Sequence, residues 1–177
     1  ILIQFNFFTI ILGLGSMFLA FSYPFMKRIT YWPQLFLGLT FNWGMVMGFS
    51  AILDQISLQI IILYIAAIFW TLGYDTIYGA QDIEDDEIIG VKSTSIKFKE
   101  KIKLFVGTCY FISLILLILF FKGEIGLNLS TLLIIMFLVS LFYQLKIFDK
   151  DNPLTCLKAF KINNLSGFLV FLSIVSI

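Results

Sequence analysis

Apolar residues fall along this chain in six long runs separated by short polar breaks. The runs occupy approximately residues 5–25, 34–53, 58–78, 104–121, 129–148 and 165–177. A helix rises about 1.5 Å per residue, so roughly 20 residues cross a hydrocarbon core about 30 Å thick. Most of the runs have that length, and they predict membrane-crossing helices. The breaks carry the punctuation of loops: Pro33 after Tyr31-Trp32, Asp54-Gln55, Lys122-Gly123-Glu124, and Asp149-Lys150-Asp151-Asn152-Pro153. The expected fold is all-α, a multi-pass transmembrane bundle forming one domain over residues 1–177.

Composition agrees. Hydrophobic residues make up 60% of the chain, charged residues 13%, and the mean hydropathy is +1.00, which excludes a soluble domain of this length. The net charge of +1 gives no nucleic-acid footprint, because the basic residues lie between apolar runs rather than in a stripe. The chain has no histidine, which removes zinc hydrolysis and His-based nucleophilic catalysis. Cys109 and Cys156 are far apart and lack neighbours at ligand spacing, so they read as packing residues. The chain opens at Ile1 without the basic start of a signal peptide, and its last apolar run, at about 20 Å, falls short of a full span. Both ends therefore read as incomplete.

Successive loops alternate sides of a membrane, which sorts the charges. Lys27, Arg28, Lys92, Lys97, Lys99, Lys101, Lys103, Lys146, Lys150, Lys158 and Lys161 share one side, and Lys122 stands alone on the other. By the positive-inside rule the first group faces the cytoplasm or the mitochondrial matrix. The same side collects Asp75, Asp82, Glu84, Asp85, Asp86, Glu87, Glu100, Asp149 and Asp151. Acidic residues contribute little to orientation, so their clustering needs another reason.

The third run ends in Tyr74-Asp75-Thr76-Ile77-Tyr78-Gly79-Ala80-Gln81-Asp82-Ile83-Glu84-Asp85-Asp86. If helix continues throughout, 100° per residue puts Asp75, Asp82 and Asp86 within about 40° of one another, with Asp85 to one side and Glu84 pointing away. Such a column repels itself unless cations sit among the carboxylates. Oxygen-only donors select a hard cation, and Mg²⁺ commonly binds through a few carboxylates plus substrate phosphate oxygens. Gly79 lies on the same face, where it would leave room for a bulky ligand. Gly90 can end the helix, and Lys92, Ser93 and Thr94 then offer a cation and hydroxyls suited to phosphate. The plain alternative is a solvated acidic loop. Asp75 argues against it, because it lies inside the apolar pattern, where an unpaired carboxylate is costly.

The stretch from Tyr74 to Thr94 resembles the second aspartate-rich motif of the UbiA superfamily of intramembrane prenyltransferases, in the form of its 4-hydroxybenzoate branch. Tyr23-Pro24-Phe25-Met26-Lys27-Arg28, Thr30 and Pro33-Gln34 are similar to another signature of that branch. Gly38, Phe41, Trp43, Lys158-Ala159-Phe160 and Asn163-Asn164 continue the likeness, which covers essentially the whole chain.

The resemblance implies a nine-helix enclosure in which two aspartate motifs hold Mg²⁺ on the diphosphate of a polyprenyl donor. By position, Asp82 and Asp86 would be ligands, with Asp75 and Asp85 in support. Arg28 and Lys92 would bind diphosphate oxygens, with Lys27 a further candidate. The implied reaction transfers the polyprenyl group to the ring carbon of 4-hydroxybenzoate meta to its carboxylate, a step of ubiquinone biosynthesis, in a bacterial or mitochondrial inner membrane. Tyr74, Tyr78, Trp43 and Trp70 could face an allylic cation or pack the bundle. Asn42 could bind aromatic substrate or bond a neighbouring helix. The first motif of the branch, Asn-x-x-x-Asp-x-x-x-Asp, is absent from these residues. Alternative readings are another aromatic acceptor, a cation transporter, or an inactive truncated membrane protein.

Overall fold

The computed structural model describes residues 2–177, and every regular element among them is helical. The first membrane helix, α1 (Phe7–Ile29), is entered through Asn6, whose side chain accepts from the Thr9 N–H at 2.8 Å. The second span is two pieces in line, α2 (Pro33–Phe41) and α3 (Trp43–Leu53), broken at Asn42. Pro33 starts α2 at the position where its missing N–H costs nothing. Ser57 caps α4 (Leu58–Gly79), which passes through a 3₁₀ turn (Ala80–Asp82) into the short α5 (Ile83–Ile89). Gly90, at φ 78°, ends α5 in the left-handed conformation that glycine adopts freely. After α6 (Thr94–Lys97) come α7 (Ile102–Phe120) and α8 (Leu129–Ile147), the latter capped by Asn128. The last span is α9 (Pro153–Lys161) followed by α10 (Asn163–Val175).

Among the described residues, six helical stretches are long and apolar enough to cross a membrane, as the run pattern predicts. The sixth differs in extent. The sequence places it at residues 165–177, whereas the structure starts it at Pro153, because Lys158 and Lys161 thin out the hydropathy of a helix that is already underway. At 23 residues it reaches about 35 Å and has full spanning length.

The helix α4 is the hub, packed against α7, α2, α9 and α3. Half of its most apolar stretch is buried, against 11% for α1, which lies at the periphery. Tyr110, Phe137, Leu141, Ile77, Val106 and Phe148 form the densest part of the core. Large apolar side chains also cover the outside: Phe7, Phe18, Phe21, Phe142 and Phe171 are exposed, as lipid contact requires.

Since apolar burial gains little when the solvent is lipid, close packing and hydrogen bonds must set helix positions. Gly73 supplies the packing between α4 and α7, for a Cβ there would stand 2.5 Å from a Tyr110 ring carbon. The Tyr110 hydroxyl donates to Gln144 Oε1 at 2.6 Å, and Gln144 Nε2 donates to Ser166 Oγ at 3.0 Å. Ser166 also bonds Ser140 at 2.8 Å, so one buried chain of polar groups fixes α7, α8 and α10 together. Further along, Thr9 and Ser50 join α1 to α3 at 2.8 Å, and Trp43 Nε1 donates to Leu12 O at 2.9 Å. Where α2 begins, Trp32 packs edge-on to Phe98 and Phe105, and Lys97 Nζ sits 4.5 Å over the Trp32 ring.

Two substitutions test this account by thermal or denaturant unfolding in detergent. Tyr110→Phe leaves Gln144 without its donor and should cost about 1–3 kcal/mol. Gly73→Ala should cost about 1–3 kcal/mol by overpacking. An unchanged midpoint in either would refute the corresponding contact.

Candidate functional site

The acidic segment is not one continuous α-helix. At the end of α4 the Ala80 N–H turns to the Ile77 carbonyl, and three residues of 3₁₀ geometry intervene before α5 begins. A 3₁₀ turn advances about 120° per residue rather than 100°, so three such residues rotate α5 by about 60° relative to α4. Counted from Asp75, that rotation carries Asp82, the last residue of the 3₁₀ turn, from about 20° on one side to about 40° on the other, and Asp86 from about 20° to about 80°. The face predicted for all three is thus widened, with Asp86 turned furthest from Asp75.

The charges around the two ends of this face differ. Asp86 lies in the field of Lys27, Asp82 and Asp85, whereas Asp75 senses Lys27 alone among these charges. Lys27, near the end of α1, is the cation that acts on both Asp75 and Asp86, and both it and Arg28 beside it are exposed. Lys92 is tied back to α1: its N–H donates to Lys27 O at 2.7 Å and its Nζ to Ile29 O at 3.2 Å. The three basic residues singled out from the sequence thus gather around the end of α1, with the Lys92 ammonium 5.6 Å from the Tyr31 ring.

The remaining acids of α5 turn elsewhere. Glu87 pairs with Lys99 at 2.9 Å. Glu84 and Asp85 line a cleft of about 320 Å³ with Lys99, Lys150 and Asp151. Asp85 therefore stands between two neighbourhoods, within reach of Asp86 but open to the cleft.

Two sequence expectations need correction. Gly79 does not leave a space for ligand: a Cβ there would stand 2.8 Å from Ser95 Oγ and 3.3 Å from Gln34 Nε2, so Ser95 already fills the notch. Ser93 and Thr94 do not offer free hydroxyls to phosphate. Both are buried, Ser93 capping α6 through Ile96 N–H at 3.2 Å and Thr94 bonding Thr76 at 2.7 Å.

Below the acidic turn, at membrane depth, a cavity of about 430 Å³ is lined by Asn42, Trp70, Tyr74, Phe160, Asn163 and Asn164 among others. Trp70 and Tyr74 meet edge to face at 5.8 Å, and Phe160 packs against both Tyr74 and Tyr78, at 5.9 and 4.7 Å. Of the aromatics named from the sequence, Trp70 and Tyr74 face this cavity and Tyr78 packs behind Phe160. Trp43 does not, for it packs on Tyr64 at the α1 side. Asn42 takes the helix-bonding role, with Nδ2 donating to Gly38 O at 2.8 Å and to Thr71 Oγ1 at 2.9 Å. Phe160 and Asn163 emerge as wall residues that periodicity could not identify; only their place in the family-like C-terminal stretch marked them.

Among the described residues, no group of three or more acidic or cysteine side chains converges closely enough to hold a metal alone. Asp82, although it stands at the start of α5, makes no capping hydrogen bond with its side chain, and neither it nor Asp86 is drawn into an ion pair among the described residues. Two uncommitted carboxylates one turn apart fit Mg²⁺, which takes few protein ligands and fills the rest of its shell with water and phosphate oxygens.

A model of the UbiA prenyltransferase family matches residues 1–170. The chain is 39% identical over 178 residues to the mitochondrial 4-hydroxybenzoate polyprenyltransferase of Homo sapiens, covering 99% of this chain and 47% of that protein. It is 42% identical over 171 residues to the 4-hydroxybenzoate octaprenyltransferase of Hahella chejuensis, covering 96% of this chain and 57% of that one. The chain thus spans about half the length of these curated relatives. The apo structure of a UbiA homolog from Aeropyrum pernix K1 superposes with a TM-score of 0.80 over 98% of this chain and 66% of that chain, at 20% identity, which shows a shared fold. With the family pattern running through all six spans, this integral membrane chain belongs to the UbiA prenyltransferase family.

Proposed function

We propose that the chain forms the part of a 4-hydroxybenzoate polyprenyltransferase that grips the donor diphosphate. The reaction would move the polyprenyl group from its diphosphate to the ring carbon of 4-hydroxybenzoate meta to the carboxylate, within ubiquinone biosynthesis. The observation that carries the reading is that Asp82 and Asp86, four residues apart, are both uncommitted, with Lys27 acting on Asp86, and follow in the chain an α4 whose Trp70 and Tyr74 line an aromatic cavity. The names of the curated relatives support the same substrates.

In this reading Asp82 and Asp86 hold Mg²⁺, with Asp85 at the side and Asp75 in support through Lys27. When bound, Mg²⁺ supplies positive charge against the charge that gathers on a departing diphosphate. Lys27, Arg28 and Lys92 add fixed cations around the same oxygens. The ring faces of Trp70, Tyr74 and Phe160 line the cavity below, where they attract developing positive charge by about 0.5–2 kcal/mol each and keep water out. Tyr78 holds Phe160 in place. The second acidic site that the family resemblance calls for would come from residues outside these 177.

The acidic turn would face the cytoplasm of a bacterium or the mitochondrial matrix. Single cysteines at Glu84 and at Gly123 should then label from opposite sides of sealed vesicles; labelling from one side would overturn the topology.

Asp82→Asn and Asp86→Asn, in the full-length protein, should each lower Mg²⁺-dependent prenylation of 4-hydroxybenzoate by at least about 100-fold. Lys27→Gln should raise the donor KM more than the acceptor KM. Wild-type rates in both Asn variants would reject the ligand assignment.

A further inference from the structure

At the 3₁₀ turn before α5 a backbone carbonyl has changed partner. In an unbroken helix the Thr76 carbonyl would accept from the Ala80 N–H four residues on. That N–H bonds Ile77 O instead, and the Thr76 carbonyl takes the hydroxyl of Ser95, which donates to it at 2.8 Å. Ser95 is fully buried and reaches this carbonyl only because residue 79 is glycine, whose absent Cβ would lie 2.8 Å from Ser95 Oγ.

The loop that carries Ser95 is pinned on two further sides. The Thr94 hydroxyl bonds that of Thr76 at 2.7 Å, and the Thr94 N–H donates to Gln34 Oε1, from α2, at 3.0 Å. Gln34, Thr76, Thr94 and Ser95 are all buried, so no water can substitute for any of these donors or acceptors.

We propose that Ser95 is a positioning residue: by capturing the Thr76 carbonyl through the notch at Gly79, it switches the end of α4 from α to 3₁₀ geometry and so aims Asp82 and Asp86. Gln34 and Thr94 hold the loop that delivers it. The aiming rests on the proposed Mg²⁺–diphosphate role of the two aspartates; the switch itself does not.

The test separates the two. In the full-length protein with Cys109→Ala and Cys156→Ala, spin labels at the exposed positions Ile88 and Leu104 report the rotation of α5 against α7. Ser95→Ala removes the donor and Gly79→Ala closes the notch, and each should let the turn relax toward α-helix. A rotation of about 60° at a side-chain radius of about 5–6 Å moves the label by about 5 Å. Thr76→Val is the control, since it weakens the same knot but keeps the carbonyl contact; it should lower stability and leave the distance alone.

Mn²⁺ binding with geranyl diphosphate, monitored by electron paramagnetic resonance, should weaken by about tenfold or more in Ser95→Ala and Gly79→Ala and stay near wild type in Thr76→Val. An unchanged label distance in both Ser95→Ala and Gly79→Ala, or an equal shift in Thr76→Val, overturns the proposal. A shifted distance with unchanged Mn²⁺ affinity upholds the switch and rejects the metal reading of Asp82 and Asp86.

Discussion

Hydrocarbon offers no water to a broken helix, so any backbone N–H or C=O released inside a membrane must find another partner within the protein. Three interruptions in this fold show how that constraint is met. At Asn42, between α2 and α3, the side-chain amide returns to Gly38 O. Between α9 and α10, Asn163 Nδ2 returns to Phe160 O at 2.9 Å. At the end of α4, Ser95 reaches across from a loop to Thr76 O. At each break a polar side chain bonds a backbone carbonyl, and each break lies at the cavity or at the acidic turn.

The repairs also build the site. Asn42 and Asn163 satisfy carbonyls and at the same time face the aromatic cavity, where Asn163 further accepts from Trp70 Nε1 at 3.0 Å. The asparagines at these breaks therefore add polar lining to an otherwise largely aromatic cavity.

The fold is largely legible in the sequence because a run of about 20 apolar residues has few alternatives to a spanning helix. The start of the sixth span is not, since α9 mixes Lys158 and Lys161 with Phe160 and Cys156 and reads as a loop on average hydropathy. The acidic motif is legible as chemistry, but its geometry is not. No proline marks the 3₁₀ turn, and its cause is a tertiary hydrogen bond from a residue 19 positions away. The same distance hides the fate of Gly79, Ser93 and Thr94, whose partners lie on other elements. Lys27 outweighs its neighbour Arg28 for a related reason: adjacent helix residues point about 100° apart, and only packing decides which of them meets the acids.

The cluster of Trp32, Phe98 and Phe105 under Lys97 works as a waterline. Indole and phenyl rings with a charged amine favour the boundary between acyl chains and headgroups, so α2 and the start of α7 are moored at that depth. The chain just before Phe98 holds α5. When the bilayer thins or thickens, the tilt of the spans can absorb the change, while an anchored ring cluster would keep the neighbouring carboxylates near one depth.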